Sequence, residues 1–233
     1  MRRVLTWIFL LTALFAEENR LFAQNWTNLL TLNGNAATSA FFFNASEGFI
    51  GTGFYFTSSA TPANIYYTHD GGTTWQQAQF PNPQIVGQVT DIYFRDRLHG
   101  WATIREALET GWSGIYHSKD GGRTWDFVHP AVFPGGIRET KRGVFYTDRD
   151  FNPGVIFSSD QGKTWANIVR TTEPLGIDFM DDATGFVTTQ ANALGPHLLT
   201  VDSGNHWTSF QTGSEAWTPY GDPITRNFFL ASE

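Results

Sequence analysis

Short apolar runs separated by polar, glycine-bearing segments recur along the chain at a repeating interval. "NIYYT" (64–68), "GIYHS" (114–118), "VIFSS" (155–159) and "LLTV" (198–201) each lead into an acidic segment. "WQQAQF", "WDFV", "WANIV" and "WTSF" follow it. Runs of this length, rich in β-branched and aromatic residues, read as strands, and the Asp-Gly segments between them read as turns. A second pattern lies upstream of three of these pairs: "FFFNASEGFIGTG" (41–53), "IYFRDRLHGWATI" (92–104) and "IDFMDDATGFVTT" (177–189). In each, a strand enters a polar turn ending in glycine and another strand leaves it. One period therefore predicts four antiparallel strands.

The turn itself is the most regular feature. "THDGGTTW" (68–75), "SKDGGRTW" (118–125) and "SSDQGKTW" (158–165) are close copies, and "TVDSGNHW" (200–207) is a worn one. Their tryptophans, Trp75, Trp125, Trp165 and Trp207, lie about 40–50 residues apart, a period that signals an array of identical supersecondary units. A four-stranded unit of that length has the size of one propeller blade. The predicted fold class is all-β, a β-propeller of four-stranded antiparallel blades. The blades fall near 36–80, 86–129, 132–170 and 174–211, followed by a partial one at 215–233. Residues 25–32, with Trp26, read as a closing strand, giving about four and a half to five blades. The last unit stops without its own copy of the turn. The chain thus reads as a ring with one defective blade or as a truncated copy of a larger propeller.

The S/T-x-D-x-G-x-T-W pattern resembles the Asp-box, or bacterial neuraminidase repeat. The fuller unit is similar to the repeats of the photosystem II assembly and stability factor family, over about residues 26–233. That resemblance implies a propeller of a kind common in exported bacterial proteins, serving as a binding or assembly module. Sialidases and xyloglucan-degrading glycosidases also carry Asp-boxes, so a glycoside hydrolase, or a fragment of one, is the alternative it implies. No early Arg-Ile-Pro segment of the sialidase type occurs, and "GIRET" (136–140) does not replace it.

A carboxylate in such a turn accepts hydrogen bonds from backbone N–H groups a few residues on. Glycine supplies the backbone freedom, and the tryptophan starts the next strand with its Nε1–H directed to a carbonyl. Asp70, Gly72 and Trp75, then Asp120, Gly122 and Trp125, Asp160, Gly162 and Trp165, and Asp202, Gly204 and Trp207 are accordingly equivalent sets with a structural role. Catalysis has no use for four equivalent acids in successive units. Each turn also offers too few oxygens for a hard cation, so no metal site is expected.

Composition narrows the function. Charged residues make up 16% and aromatic residues 16%, with 23 glycines, which suits short strands and tight turns. The net charge of −7, without a basic run, argues against a nucleic-acid partner. With no cysteine there is no disulfide framework and no thiolate chemistry. "MRR" followed by the apolar run "VLTWIFLLTALFA" (4–16) has the form of a secretory signal peptide, taken as residues 1–23. Cleavage after Ala23 is preferred to cleavage after Ala16. The protein is then secreted or periplasmic, with no stable membrane span once the segment is removed; an uncleaved anchor is the alternative.

In an up-and-down blade the Asp-box turns share one face with the first-to-second-strand turns. The opposite face carries the variable loops, where binding residues concentrate. Those loops contribute Arg105, Trp112, His129, Arg138, Arg149 and Asp150 as binding-face candidates for a protein or carbohydrate ligand, Trp112 being taken as exposed. Glu106 or Glu109 with Asp148 is a candidate acid pair across adjacent blades for the hydrolase alternative, which nothing in the spacing selects. No cofactor motif, metal-ligand cluster or nucleophile motif appears, and no catalytic residue is assigned.

Overall fold

The computed structural model describes residues 30–32, 35–54, 61–108, 110–149, 153–171, 173–189, 196–211, 219–222 and 227–230. Residues Met1–Thr31 group as a unit separate from Leu32–Glu233, and the description concerns the latter. The expected signal segment 1–23 lies outside the described residues. So does the expected closing strand, apart from residues 30–32, which form no strand.

Four blades follow one another along the chain. The first holds β1 (Ala37–Phe42), β2 (Gly48–Thr52), β3 (Ile65–Thr68) and β4 (Gln76–Gln77). The second holds β5 (Gly87–Phe94), β6 (Gly100–Glu106), β7 (Gly114–Ser118) and β8 (Asp126–Pro130). The third holds β9 (Pro134–Glu139), β10 (Val144–Asp148), β11 (Gly154–Ser158) and β12 (Ala166–Arg170). The fourth holds β13 (Pro174–Phe179), β14 (Gly185–Thr189), β15 (His197–Thr200) and β16 (Thr208–Phe210). Each is an antiparallel meander in chain order, and β17 (Pro219–Asp222) pairs with β18 (Asn227–Leu230) in a two-stranded sheet. Among the described residues no helix is long and apolar enough to cross a membrane.

Burial follows position in the blade. Strands β6, β7, β10 and β14 are buried along nearly their whole length, whereas β4 is exposed and β8, β12 and β16 are half-buried or exposed. The middle strands are apolar on both faces because each blade packs against the next. The cores accordingly lie between blades. Phe49 and Ile65 of the first pack on Val89, Phe94 and Ile104 of the second. Trp101 and Ile115 of the second pack on Ile137, Val144 and Ile156 of the third. Phe145 and Val155 of the third pack on Ile177, Val187 and Leu198 of the fourth. Each fully buried Ile of this set stabilises the fold by roughly 1.5–3 kcal/mol.

The four D-x-G segments form the turns before β4, β8, β12 and β16. Asp120 Oδ1 accepts from Ser118 Oγ (2.9 Å), Arg123 N (3.1 Å) and Thr124 N (3.0 Å), and Oδ2 accepts from Thr124 Oγ1 (2.7 Å). Ser118 Oγ in turn accepts from Gly122 N at 2.8 Å. Asp70, Asp160 and Asp202 repeat the arrangement, with His206 standing where the other copies have threonine. These hydrogen bonds hold the carboxyls of Asp70 and Asp160 at a pKa of about 2, as does the His206 backbone for Asp202. Gly122, Gly162 and Gly204 have φ of 79°, 82° and 77°. They also lie beneath Phe49, Trp101 and Phe145 of the preceding blade; a Cβ would collide with the ring at Gly122 and Gly204 and press tightly on it at Gly162. The tryptophan Nε1–H reaches a carbonyl in three copies, Gly122 O, Gly162 O and Gly204 O at 3.0–3.1 Å. Trp75 departs from the expectation: its buried Nε1 has no partner among the described residues.

The second and third blades are joined by residues 131–133 alone, because β8 runs to Pro130 and β9 starts at Pro134. On the turn face, ion pairs link successive blades: Glu47 with Arg97, Arg95 with Glu139 (2.9 Å) and Lys141 with Asp182 (2.6 Å). Exposed pairs of this kind contribute little individually.

Candidate functional site

The first strands of successive units, β1, β5, β9, β13 and β17, adjoin one another and line the axis. Each of the first four carries a bulge near its start. The register slips between Ala37 and Ser39, between Val89 and Asp91, opposite Tyr146–Asp148 in β9, and between Pro174 and Ile177. Threonine hydroxyls tie these bulges across blades: Thr38 to Val89 O (2.7 Å), Thr90 to Pro134 O (2.9 Å), Thr103 to Gly135 O (2.8 Å) and Thr147 to Leu175 O (3.1 Å). Gly135 stands where a Cβ would collide with the Leu175 carbonyl. Bulges next to a cavity re-aim backbone and side chains. Here they surround an axial well of about 580 Å³, reached at its loop end past Phe133, Arg149 and Gln88.

At the other end stands a chain of contacts made by one residue from each inner strand. The penultimate residues of β1, β5, β9, β13 and β17 are Phe41, Tyr93, Arg138, Asp178 and Gly221. The Phe41 and Tyr93 rings meet edge to face at 6.1 Å, and the Arg138 guanidinium lies 5.5 Å from the Tyr93 ring centre. Arg138 Nε donates to Asp178 Oδ1 at 2.6 Å, and Gly221 N donates to Asp178 Oδ2 at 2.7 Å. Arg138 Nη1 also donates to Asp91 Oδ2 at 2.6 Å, which takes Ile137 N as well. Burial acts against the guanidinium's charge, but Asp91 and Asp178 outweigh it and raise its pKa above the ordinary value. Burial likewise raises the Tyr93 phenol, which donates to Glu139 O at 3.0 Å.

The sequence-predicted residues are dispersed. Arg138 is no loop-face residue: it belongs to an inner strand, in a largely buried ion triad. His129 lies in β8 rather than in a connection, stacked on Trp165 of the next blade at 5.4 Å, and burial lowers its pKa. Trp112 is not exposed; it packs half-buried against the core and meets Phe127 edge to face at 5.6 Å. Arg105 lies 3.1 Å and Arg149 4.8 Å from the Phe133 ring centre, so that ring joins two guanidinium groups at the mouth of the well. Glu106 accepts from Thr110 Oγ1, Gly111 N and Trp112 N, which folds the loop after β6 back onto its carboxylate. Asp148 accepts from Phe133 N at 3.3 Å. Glu109 and Asp150 lie outside the described residues. Sequence reading missed Asp91, Asp178, Ser39 and Gln88. The blade period contains the missing signal, since aligning β5, β9 and β13 from their ends superposes Tyr93, Arg138 and Asp178. Among the described residues no group of three or more acidic or histidine side chains is arranged to hold a metal ion.

Blades of this form, ordered around an axis lined by their first strands, define a β-propeller, and solved propellers share the fold. YCF48 from Cyanidioschyzon merolae superposes with a TM-score of 0.62 at 12% identity, over 89% of this chain and 67% of that one. A protein of unknown function from Dyadobacter fermentans gives 0.59 at 12%, over 85% and 72%. The GH74 xyloglucanase from Xanthomonas campestris gives 0.51 at 11%, over 84% of this chain but only 43% of the enzyme. No protein-family model matches the chain, and no curated protein matches it significantly.

Proposed function

We propose that the chain is an exported Asp-box propeller that acts as a binding scaffold, without catalytic chemistry of its own, and receives its ligand at the loop end of the axis. The observation that carries this reading is the axial well, whose volume lies within the range of ligand sites. Around its mouth the loop face displays Phe54, Leu108 and Val132, which are 38%, 60% and 47% exposed, beside the Arg105–Phe133–Arg149 cluster. Exposed apolar side chains rimmed by charge suit a contact with a protein or carbohydrate partner.

The hydrolase alternative rests on the propeller fold shared with the xyloglucanase. It needs a carboxyl pair free for acid–base work. Glu106 and Asp148 are both engaged in holding loops, which favours the scaffold. Two experiments test the reading. A photo-crosslinker placed at Leu108 or Val132 captures a partner from the organism's own cell-envelope extract, and one at Leu98 on the turn face does not. Turnover of fluorogenic sialosides or β-glucans, abolished by Glu106→Gln or Asp148→Asn, overturns it. For export, N-terminal sequencing of the mature protein is expected to begin at Gln24.

A further inference from the structure

The interface between the second and third blades is bracketed by histidines. Trp101 of β6 and His117 of β7 are cross-strand partners, and their rings stack at 4.0 Å with planes 10° apart. Trp101 meets Trp165 of the third blade edge to face at 6.3 Å, and Trp165 in turn stacks on His129 of β8 at 5.4 Å. Two indoles that join the blades thus have an imidazole at each end. Of the other described histidines, His69, His99 and His206 are exposed, and His197 meets rings of its own blade, Phe186 and Phe210.

Both imidazoles sit where a positive charge is disfavoured. His117 is buried, and burial lowers its pKa to about 4; Lys119 and His99 act in the same direction, whereas Glu139 and Asp126 act against it. The Glu139 carboxylate is itself engaged, accepting from Trp101 Nε1 at 2.7 Å and from Arg95 at 2.9 Å. His129 is half-buried against Tyr146 and Trp165, and burial lowers its pKa too. Tyr146 supplies no compensating charge, since burial raises its phenol and keeps it neutral.

We propose that the interface between the second and third blades is an acid-sensitive hinge, closed while His117 and His129 are neutral and opened by their protonation. This goes beyond the scaffold reading and does not depend on it. An unfolded chain takes up both protons near pH 6.5, and the closed interface does not. Its stability is therefore complete above that pH and is lost as pH falls toward 4. That window lies above the one in which the turn aspartates titrate, so the two acid effects separate. The opening is local because the paired histidines bracket one interface, and a protein opens along its weakest contacts before it unfolds globally. The same interface forms a wall of the axial well, where Thr90 and Thr103 donate to Pro134 O and Gly135 O across it.

Indole N–H exchange, followed by NMR on the purified protein at pH 7.5 and pH 5.0 and corrected for its intrinsic pH dependence, tests this. Trp101 Nε1 donates across the hinge to Glu139, whereas Trp125 and Trp207 donate within their own turns and pack in the cores on either side. Protection of Trp101 is expected to fall about tenfold more than that of Trp125 and Trp207, a figure that allows for partial solvent screening of His117. His117→Phe combined with His129→Phe keeps a ring at each end without a titrating group and is expected to abolish the difference. Should the pair of substitutions prevent folding, each single variant is expected to reduce the difference by about threefold. Equal loss at all three indoles, as a global weakening gives, overturns the hinge, and so does no loss at Trp101. A gain in Trp101 protection at pH 5.0, as an imidazolium attracted to the indole face gives, overturns it too. A difference that survives the histidine substitutions removes their role and the inference with it.

Discussion

Replacing Arg138 with methionine removes the one cation that joins Asp91 of β5 to Asp178 of β13. Methionine retains most of the packing volume, so the measured loss reports on charge. Neither carboxylate is left bare. Asp91 keeps the Ile92 and Ile137 amides, and Asp178 keeps the Gly221 amide. What remains is two acids facing each other with side chains only 20% and 12% exposed. Breaking a buried ion pair from one side costs about 3–5 kcal/mol, and the retained amides and residual hydration place this case near 3. In a chain of this length that corresponds to a fall in Tm of roughly 6–12 °C. Without the guanidinium the two acids are left with no cation between them. Asp91→Asn in the same chain removes one of the two like charges and should recover part of the deficit in urea unfolding. A deficit below about 1 kcal/mol, or one that Asp91→Asn leaves unchanged, refutes the triad as a cross-blade fastening.

Asp120→Ala removes four hydrogen bonds from an exposed turn whose amides water can reach, and it should cost about 2 kcal/mol in urea unfolding; an unchanged midpoint would count against the clamp. For Asp70, Asp160 and Asp202 the folded pKa of about 2 lies below the ordinary aspartate value of about 3.9. Their stabilisation is therefore fully present above about pH 4 and is lost as pH falls through 2, so Tm should drop across that window. Asp70→Asn combined with Asp160→Asn should flatten the drop. Trp165→Phe should destabilise by about 1 kcal/mol more than Trp75→Phe, since only Trp165 gives up a bonded Nε1–H; equal losses in thermal melts would mean that the indole hydrogen bond contributes nothing.

The blades were legible because their signals are local. Alternation in "IYYT" or "GIYHS" and the eight-residue turn that follows each specify a hairpin without reference to any other part of the chain. The site was less legible because its contacts are not local. Arg138 meets its two acids 47 and 40 residues away, and nothing in "GIRET" distinguishes an inner-strand arginine from one on a loop. Trp112 looked exposed because glycine and serine flank it, yet Glu106 draws its loop inward and turns the ring onto Phe127. The bulges left no mark in the hydrophobic pattern either. A one-residue slip at Thr38 or Thr90 shows only when two strands are set side by side.

The same repetition that builds the disc explains why its axis can be specific. A Phe49, Trp101 or Phe145 capping the turn glycine of the next blade recurs with little change at the three interfaces between the four described blades. The penultimate inner-strand position is not held to one residue type, since its neighbour on the next blade can be met by ring packing, a cation over a ring or a hydrogen bond. It therefore varies from Phe41 to Tyr93, Arg138, Asp178 and Gly221, each joined to the next by a different interaction. Variation confined to one register of an otherwise repeated frame is how a common fold acquires a chemistry of its own. In this chain Arg138 is the residue of that register that lines the axial well, held there by Asp91 and Asp178, and the bulges beside it interrupt the inner strands. Both features follow from position in the blade, so the well is preorganised by the repeated frame rather than by the loops around its mouth.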